Sequence, residues 1–83
     1  MKPKGAIKIS TSDLCRAARA LAGMTQKDLA KASSLSQQTI ADFERGARMP
    51  HPNNLKAIFD AFEERGIIFQ KDGDKFVGLT VAR

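Results

Sequence analysis

The chain has 83 residues, a formal charge of +5, no Trp or Tyr, and a single Cys and a single His. That length supports one small core and leaves no room for a deep substrate cavity. No nucleophile–base–orienter set, metal-ligand cluster or phosphate-binding glycine loop is legible, so neither an enzyme nor a bound cofactor or metal is expected. The excess charge is concentrated: residues 1–48 carry nine Lys/Arg against four Asp/Glu, whereas residues 49–83 carry five of each. A basic half favours contact with phosphate, although many proteins are as basic for no specific reason.

Three segments follow from composition and period: a basic arm over residues 1–9, a helical domain over 10–65 and an extended segment over 66–83. In the arm, Lys2, Lys4 and Lys8 suit a nucleic-acid backbone, the alternative being a solvated terminus, and Ile7 and Ile9 alternate with Lys8 as in a short strand. Ser10, Thr11 and Ser12 offer capping oxygens and Asp13 suits a first turn, which predicts a helix over residues 12–22 with Leu14, Ala18 and Leu21 inside and Gly23 as its stop. Cys15, between Leu14 and the Ala17-Ala18 pair, reads as a small buried residue. The sharper alternative is a redox-sensing thiol activated by Arg16 and Arg19. No apolar run is long enough for export or for crossing a bilayer, and a cytoplasmic protein is the default expectation.

Residues 25–46, TQKDLAKASSLSQQTIADFERG, carry the most information. A helix over 26–32 with Leu29 and Ala30 inward, a tight turn, and a second helix over 37–45 with Ile40 and Phe43 inward give helix-turn-helix geometry, the small Ala30 allowing a close crossing. Ser36 stands where an N-cap is needed, so Gln37 and Gln38 open the second helix, and a Gln amide pairs in bidentate fashion with an adenine edge. Gly46 closes this helix as a left-handed cap.

These residues resemble the Cro/cI-type (Xre-like) helix-turn-helix family of bacterial and phage transcriptional regulators. The match lies in Thr25-Gln26, Leu29-Ala30, Leu35-Ser36, Thr39-Ile40 and Phe43-Glu44-Arg45-Gly46, and extends from about Leu14 to Phe62. One position departs from the pattern: where the family usually has a turn glycine, this chain has Ser34, which needs φ > 0 there. The resemblance implies a mainly α, compact four-helix, lambda-repressor-like DNA-binding domain. It also implies base reading by the first two residues of the recognition helix and by one four further on, here Gln37, Gln38 and Asp42. Paired glutamines at these places are similar to those of lambdoid phage repressors. Thr39 suits a phosphate or a thymine methyl. Asp42 is read two ways, accepting from a cytosine amino group or pairing with Arg45 or Arg48. Backbone contacts are assigned to Gln26, at a helix N-terminus, and to Lys27, Arg45 and Arg48. Glu44 reads as structural, since the family motif carries an acidic residue there too.

Pro50 and Pro52 make residues 48–52 a loop, with His51 as a loop residue or helix cap. A helix over 53–65 then presents Leu55, Ile58, Phe59 and Phe62 at i, i+3, i+4, i+7 spacing, a wall for the other helices. After Gly66 the period turns extended, and Asp72-Gly73 between apolar runs marks a hairpin. A lone hairpin is marginal, so its edge needs cover. The expected cover is a second copy pairing through Ile67, Phe69, Phe76, Val77 and Leu79. The alternative is a hairpin folded back on its own fourth helix, joined by the arm.

The expectation for function is a sequence-specific regulator, a repressor by occlusion, acting as a homodimer on a palindromic stretch of double-stranded DNA. Two rivals stand beside it: an antitoxin that also holds a toxin protein, and a helix-turn-helix adaptor that binds protein. The polar glutamine face argues against the adaptor, because protein hot spots favour aromatics.

Overall fold

The computed structural model describes residues 10–73 and 75–82, with the side chains of residues 75 and 76 outside the description. The basic arm and the Ile7–Ile9 strand therefore lie outside the described residues. Four helices, α1 (Thr11–Ala22), α2 (Gln26–Ser33), α3 (Gln37–Glu44) and α4 (Pro52–Glu63), precede a two-stranded antiparallel hairpin of β1 (Ile67–Asp72) and β2 (Lys75–Val81).

Local chemistry sets the helix ends. Ser10 and Asp13 form a reciprocal capping box at the start of α1, as Thr25 and Asp28 do for α2, each pair satisfying two backbone donors. The C-termini of α1, α2 and α3 share one device. A left-handed residue stands directly after α1 and α2, Gly23 at φ 68° and Ser34 at φ 59°, and one residue further on after α3, Gly46 at φ 74°, and in each case the following residue donates to a carbonyl five positions back at 2.9 Å. Ser34 thus takes up the backbone conformation that glycine usually supplies. His51 is the N-cap of α4, its Nδ1 accepting from the Asn53 amide at 3.4 Å, and Pro52 begins the helix one residue earlier than its sequence suggested.

The core gathers Cys15, Ala18, Leu29, Ile40, Phe43, Ile58, Phe62 and Ile67, each no more than 1% exposed. Leu21 is not among them. It is 51% exposed, because the inner arc of α1 is centred on Cys15, Ala18 and Ala22, and Leu21 falls beyond its edge in the last turn. The hairpin shares this core: Phe69 packs on Phe59 and Phe62 with ring centroids 4.7 and 5.7 Å apart, and Leu79 and Val81 lie against the same cluster. Register pairs Ile67 with Val81 and Phe69 with Leu79, with a bulge at Gln70/Lys71.

This packing gives the inner face of the hairpin its cover within the subunit. The side chain of Ile67 is buried in its own subunit, and Phe69 and Leu79 are packed there, because α4 lies against β1 and α1 against both strands, covering the inner face of the sheet. Of the residues expected at a dimer contact, Val77 points outward at 51% exposure, joined by Ile68 at 48%, which the sequence reading did not select. The side chain of Phe76 lies outside the description. Among the described residues no helix is long and apolar enough to cross a membrane.

Candidate nucleic-acid interface

α3 is held from beneath and open above. Ile40 and Phe43 are buried under it, while Gln37 and Gln38 are exposed in its first turn. Ser36 caps the helix, its hydroxyl accepting from the Thr39 amide at 3.1 Å and sharing a 2.8 Å hydrogen bond with the Thr39 hydroxyl. That second contact ties the Thr39 oxygen to the cap and leaves its methyl as the group still available. The Gln37 amide has no hydrogen-bond partner among the described residues, whereas Gln38 Nε2 donates to Asp42 Oδ1 at 2.8 Å. Arg45 Nη2 donates to the same oxygen at 2.7 Å. The hydrogen bonds from Arg45 and Gln38, helped by the nearby charge of Arg48, hold the Asp42 carboxyl below the usual carboxylate range. Of the two sequence readings of Asp42, the structure contains the pairing with Arg45.

The base of the helix pair is a polar cluster. Glu44 is 4% exposed, and its carboxylate accepts from Arg19 Nε at 2.6 Å, Arg19 Nη2 at 2.8 Å, Gln26 Nε2 at 3.1 Å and Cys15 Sγ at 3.2 Å. Arg19 also donates to the Met24 carbonyl at 3.1 Å, and Ser12 donates to the Phe43 carbonyl at 2.7 Å. One buried carboxylate therefore links α1, α2 and α3. Burial works against its charge, but the donors from Arg19, Gln26 and Cys15 outweigh it and leave the carboxyl below its ordinary value.

Cys15 is pushed the opposite way. Burial and the adjacent Glu44 carboxylate raise its thiol far above the ordinary range, and the opposing charges of Arg19 and Arg16 are the weaker influence. A thiol so placed is not the activated sensor that its arginine neighbours suggested.

The structure separates the expected backbone-contacting residues. Lys27, Arg45 and Arg48 are exposed, while the Gln26 side chain is engaged with Glu44, which leaves the N-terminus of α2 as that residue's means of meeting an anion. Beside α3 a shallow depression of about 280 Å³ is lined by Arg16, Arg19, Gln26, Ala41, Glu44 and Arg45. Arg16 is a cation at the edge of this face that the sequence reading left out. Its own helix gives no signal for that role, since only the packing of α1 across α2 and α3 brings it there.

Comparison with known proteins agrees with this geometry. A family described as Helix-turn-helix matches residues 16–66. Two crystal structures of the restriction-modification controller protein C.Esp1396I, the wild type and a single-substitution variant, are similar to this chain at 32% identity and a TM-score of 0.62. They cover 70% of this chain and 78% and 77% of their own. No curated protein matches. With exposed glutamines on a capped second helix, a left-handed turn between the two helices and a family match over most of its length, the chain belongs to the Cro/cI-type helix-turn-helix family of DNA-binding transcriptional regulators.

Proposed function

We propose that this regulator is a homodimeric repressor that lays α3 of each subunit in successive major grooves of a two-fold operator and occludes a promoter in the cytoplasm. The observation that carries this reading is the pair Gln37 and Gln38, side by side in the first turn of a helix whose angle is held by the Glu44 cluster. In this arrangement Gln37 and Gln38 read base edges, the Thr39 methyl meets thymine, and Lys27, Arg45, Arg48 and Arg16 meet phosphates with the N-terminus of α2 beside them. The likeness to a restriction-modification controller protein supports a promoter that controls genes of that class as the target.

Selection from a randomised duplex pool at near-physiological salt tests the reading, because phosphate attraction alone is weak there. The expected result is an enriched two-fold motif with half-site centres about 10 bp apart. Gln37→Ala relaxes the preference at one base pair by about 1–3 kcal/mol, whereas Arg48→Ala weakens all sequences alike and flattens the salt dependence. A folded protein that enriches no motif overturns the reading.

A further inference from the structure

The two glutamines of α3 differ in one respect that bears on what they select. Gln37 is unpartnered among the described residues, but the amide nitrogen of Gln38 is held by Asp42 Oδ1 at 2.8 Å, and Asp42 is held in turn by Arg45 Nη2 at 2.7 Å. The carboxylate is mostly covered, its side chain 21% exposed, and it sits one turn below Gln38 on the same face. Arg48 and Thr39 line the small depression beside it, about 170 Å³ in volume.

We propose that Asp42 is a positioning residue, which fixes the orientation of the Gln38 amide so that Gln38 selects adenine over guanine. The proposal rests on the reading of α3 as the DNA-facing helix and replaces the reading of Asp42 as a direct contact to cytosine. A primary amide is nearly symmetric in shape and can turn its oxygen or its nitrogen toward a given neighbour. An ionised carboxylate only accepts, so it holds the nitrogen and excludes the flipped amide. A primary amide has two N–H bonds, one beside its carbonyl and one turned away. The bidentate pair with adenine uses the carbonyl and the N–H beside it, leaving the other for Asp42. A flipped amide turns its two N–H groups outward and suits guanine, which offers acceptors at O6 and N7. Arg45 offsets the charge of Asp42 near the phosphates, so this positioning adds little like-charge repulsion.

The test is selection from the same randomised duplex pool with the full chain, for the wild type, Asp42→Asn, Gln38→Ala and the double variant, each first shown to be folded by its thermal transition. Asn accepts through its oxygen or donates through its nitrogen, so Asp42→Asn permits both amide orientations. The expected result for Asp42→Asn is an adenine-to-guanine preference reduced at least about fivefold at the base pair that Gln38→Ala also relaxes, with the Gln37 base pair unchanged. Binding to arbitrary duplex is unchanged or tighter, because a negative charge has been removed. The double variant matches Gln38→Ala at that position.

Failure of the wild type to enrich any motif overturns the DNA-reading assignment itself. A wild-type motif that Asp42→Asn reproduces with undiminished preference overturns the positioning role alone. A uniform loss at every base pair in Asp42→Asn, or a further loss in the double variant beyond Gln38→Ala, also overturns it, since these indicate a structural role or a direct contact.

Discussion

Glu44 shows how one buried charge can organise a small domain. Taking a carboxylate out of water is costly, and here the cost is offset by four donors, two from the Arg19 guanidinium and one each from Gln26 and Cys15. Removing the carboxylate strands Arg19, whose side chain is 20% exposed, so Glu44→Ala is expected to cost about 3 kcal/mol, the low end for breaking a buried pair. Urea denaturation checks this. The same group sets a pH dependence. Its folded carboxyl lies below the ordinary value of 4.5, so its stabilisation is fully present above that value and is lost as pH falls through the lower folded value. Glu44→Gln is expected to be less stable at neutral pH and to lose less further stability below about pH 4.5, in a series of denaturation midpoints taken across the acid range. Asp13 and Asp28, also lowered by their capping hydrogen bonds, retain an acid limb of the same sign in both proteins. A Glu44→Gln protein with the wild-type acid profile would assign that limb to the capping residues instead.

At the scale of the element, the left-handed turn after α2 is the point where local preference and tertiary demand disagree. Leu35 must return to the core, and the backbone reaches it through Ser34 at φ 59°. An L-residue in this region is strained by about 1–2 kcal/mol, and glycine gives back about 0.5–1 kcal/mol through its freer unfolded chain. Ser34→Gly is therefore expected to stabilise the protein by about 0.5–1 kcal/mol, seen as a higher urea midpoint with an unchanged slope. An unchanged or lower midpoint would mean that the serine relieves its own strain. The junction of α4 with β1 has the reverse arrangement. Gly66 is left-handed at φ 83°, and a Cβ there would lie 2.8 Å from the Ala82 carbonyl oxygen, so the close approach that anchors the hairpin end needs this glycine.

For the whole molecule, the hairpin is part of the helical core on one face and exposes Ile68 and Val77 on the other. In the proposed dimer this outer face is the candidate contact. Removing β2 would also strip Leu79 and Val81 from the core, so a point substitution is the sharper probe. Ile68→Asp is expected to convert a dimer into a monomer in sedimentation velocity and to weaken binding to a two-fold duplex, while leaving the thermal transition of the subunit nearly unchanged, because Ile68 is 48% exposed there. A variant that sediments as the wild-type dimer would move the contact away from the hairpin.

Much of this arrangement was legible in the residues themselves. The Ser36 cap, the stops at Gly23 and Gly46, the Ile40/Phe43 stripe and the Asp72-Gly73 turn are written in local chemistry, because capping and turn geometry depend on a few neighbouring residues, whereas Ser10 was one of three capping oxygens on offer and α1 begins at Thr11, a residue before its expected start. The outward glutamines followed from helical period alone, and Glu44 was identified as structural from its place in the motif. What only tertiary packing decided are the partners of that carboxylate, 18 to 29 positions away in sequence, the outward turn of Leu21, the arrival of Arg16 beside α3 and the packing of Ile67, Phe69 and Leu79 into the core of their own subunit. Each depends on which apolar face is nearest once the helices have crossed, and a contact between distant segments leaves no period in the chain for a reader to find.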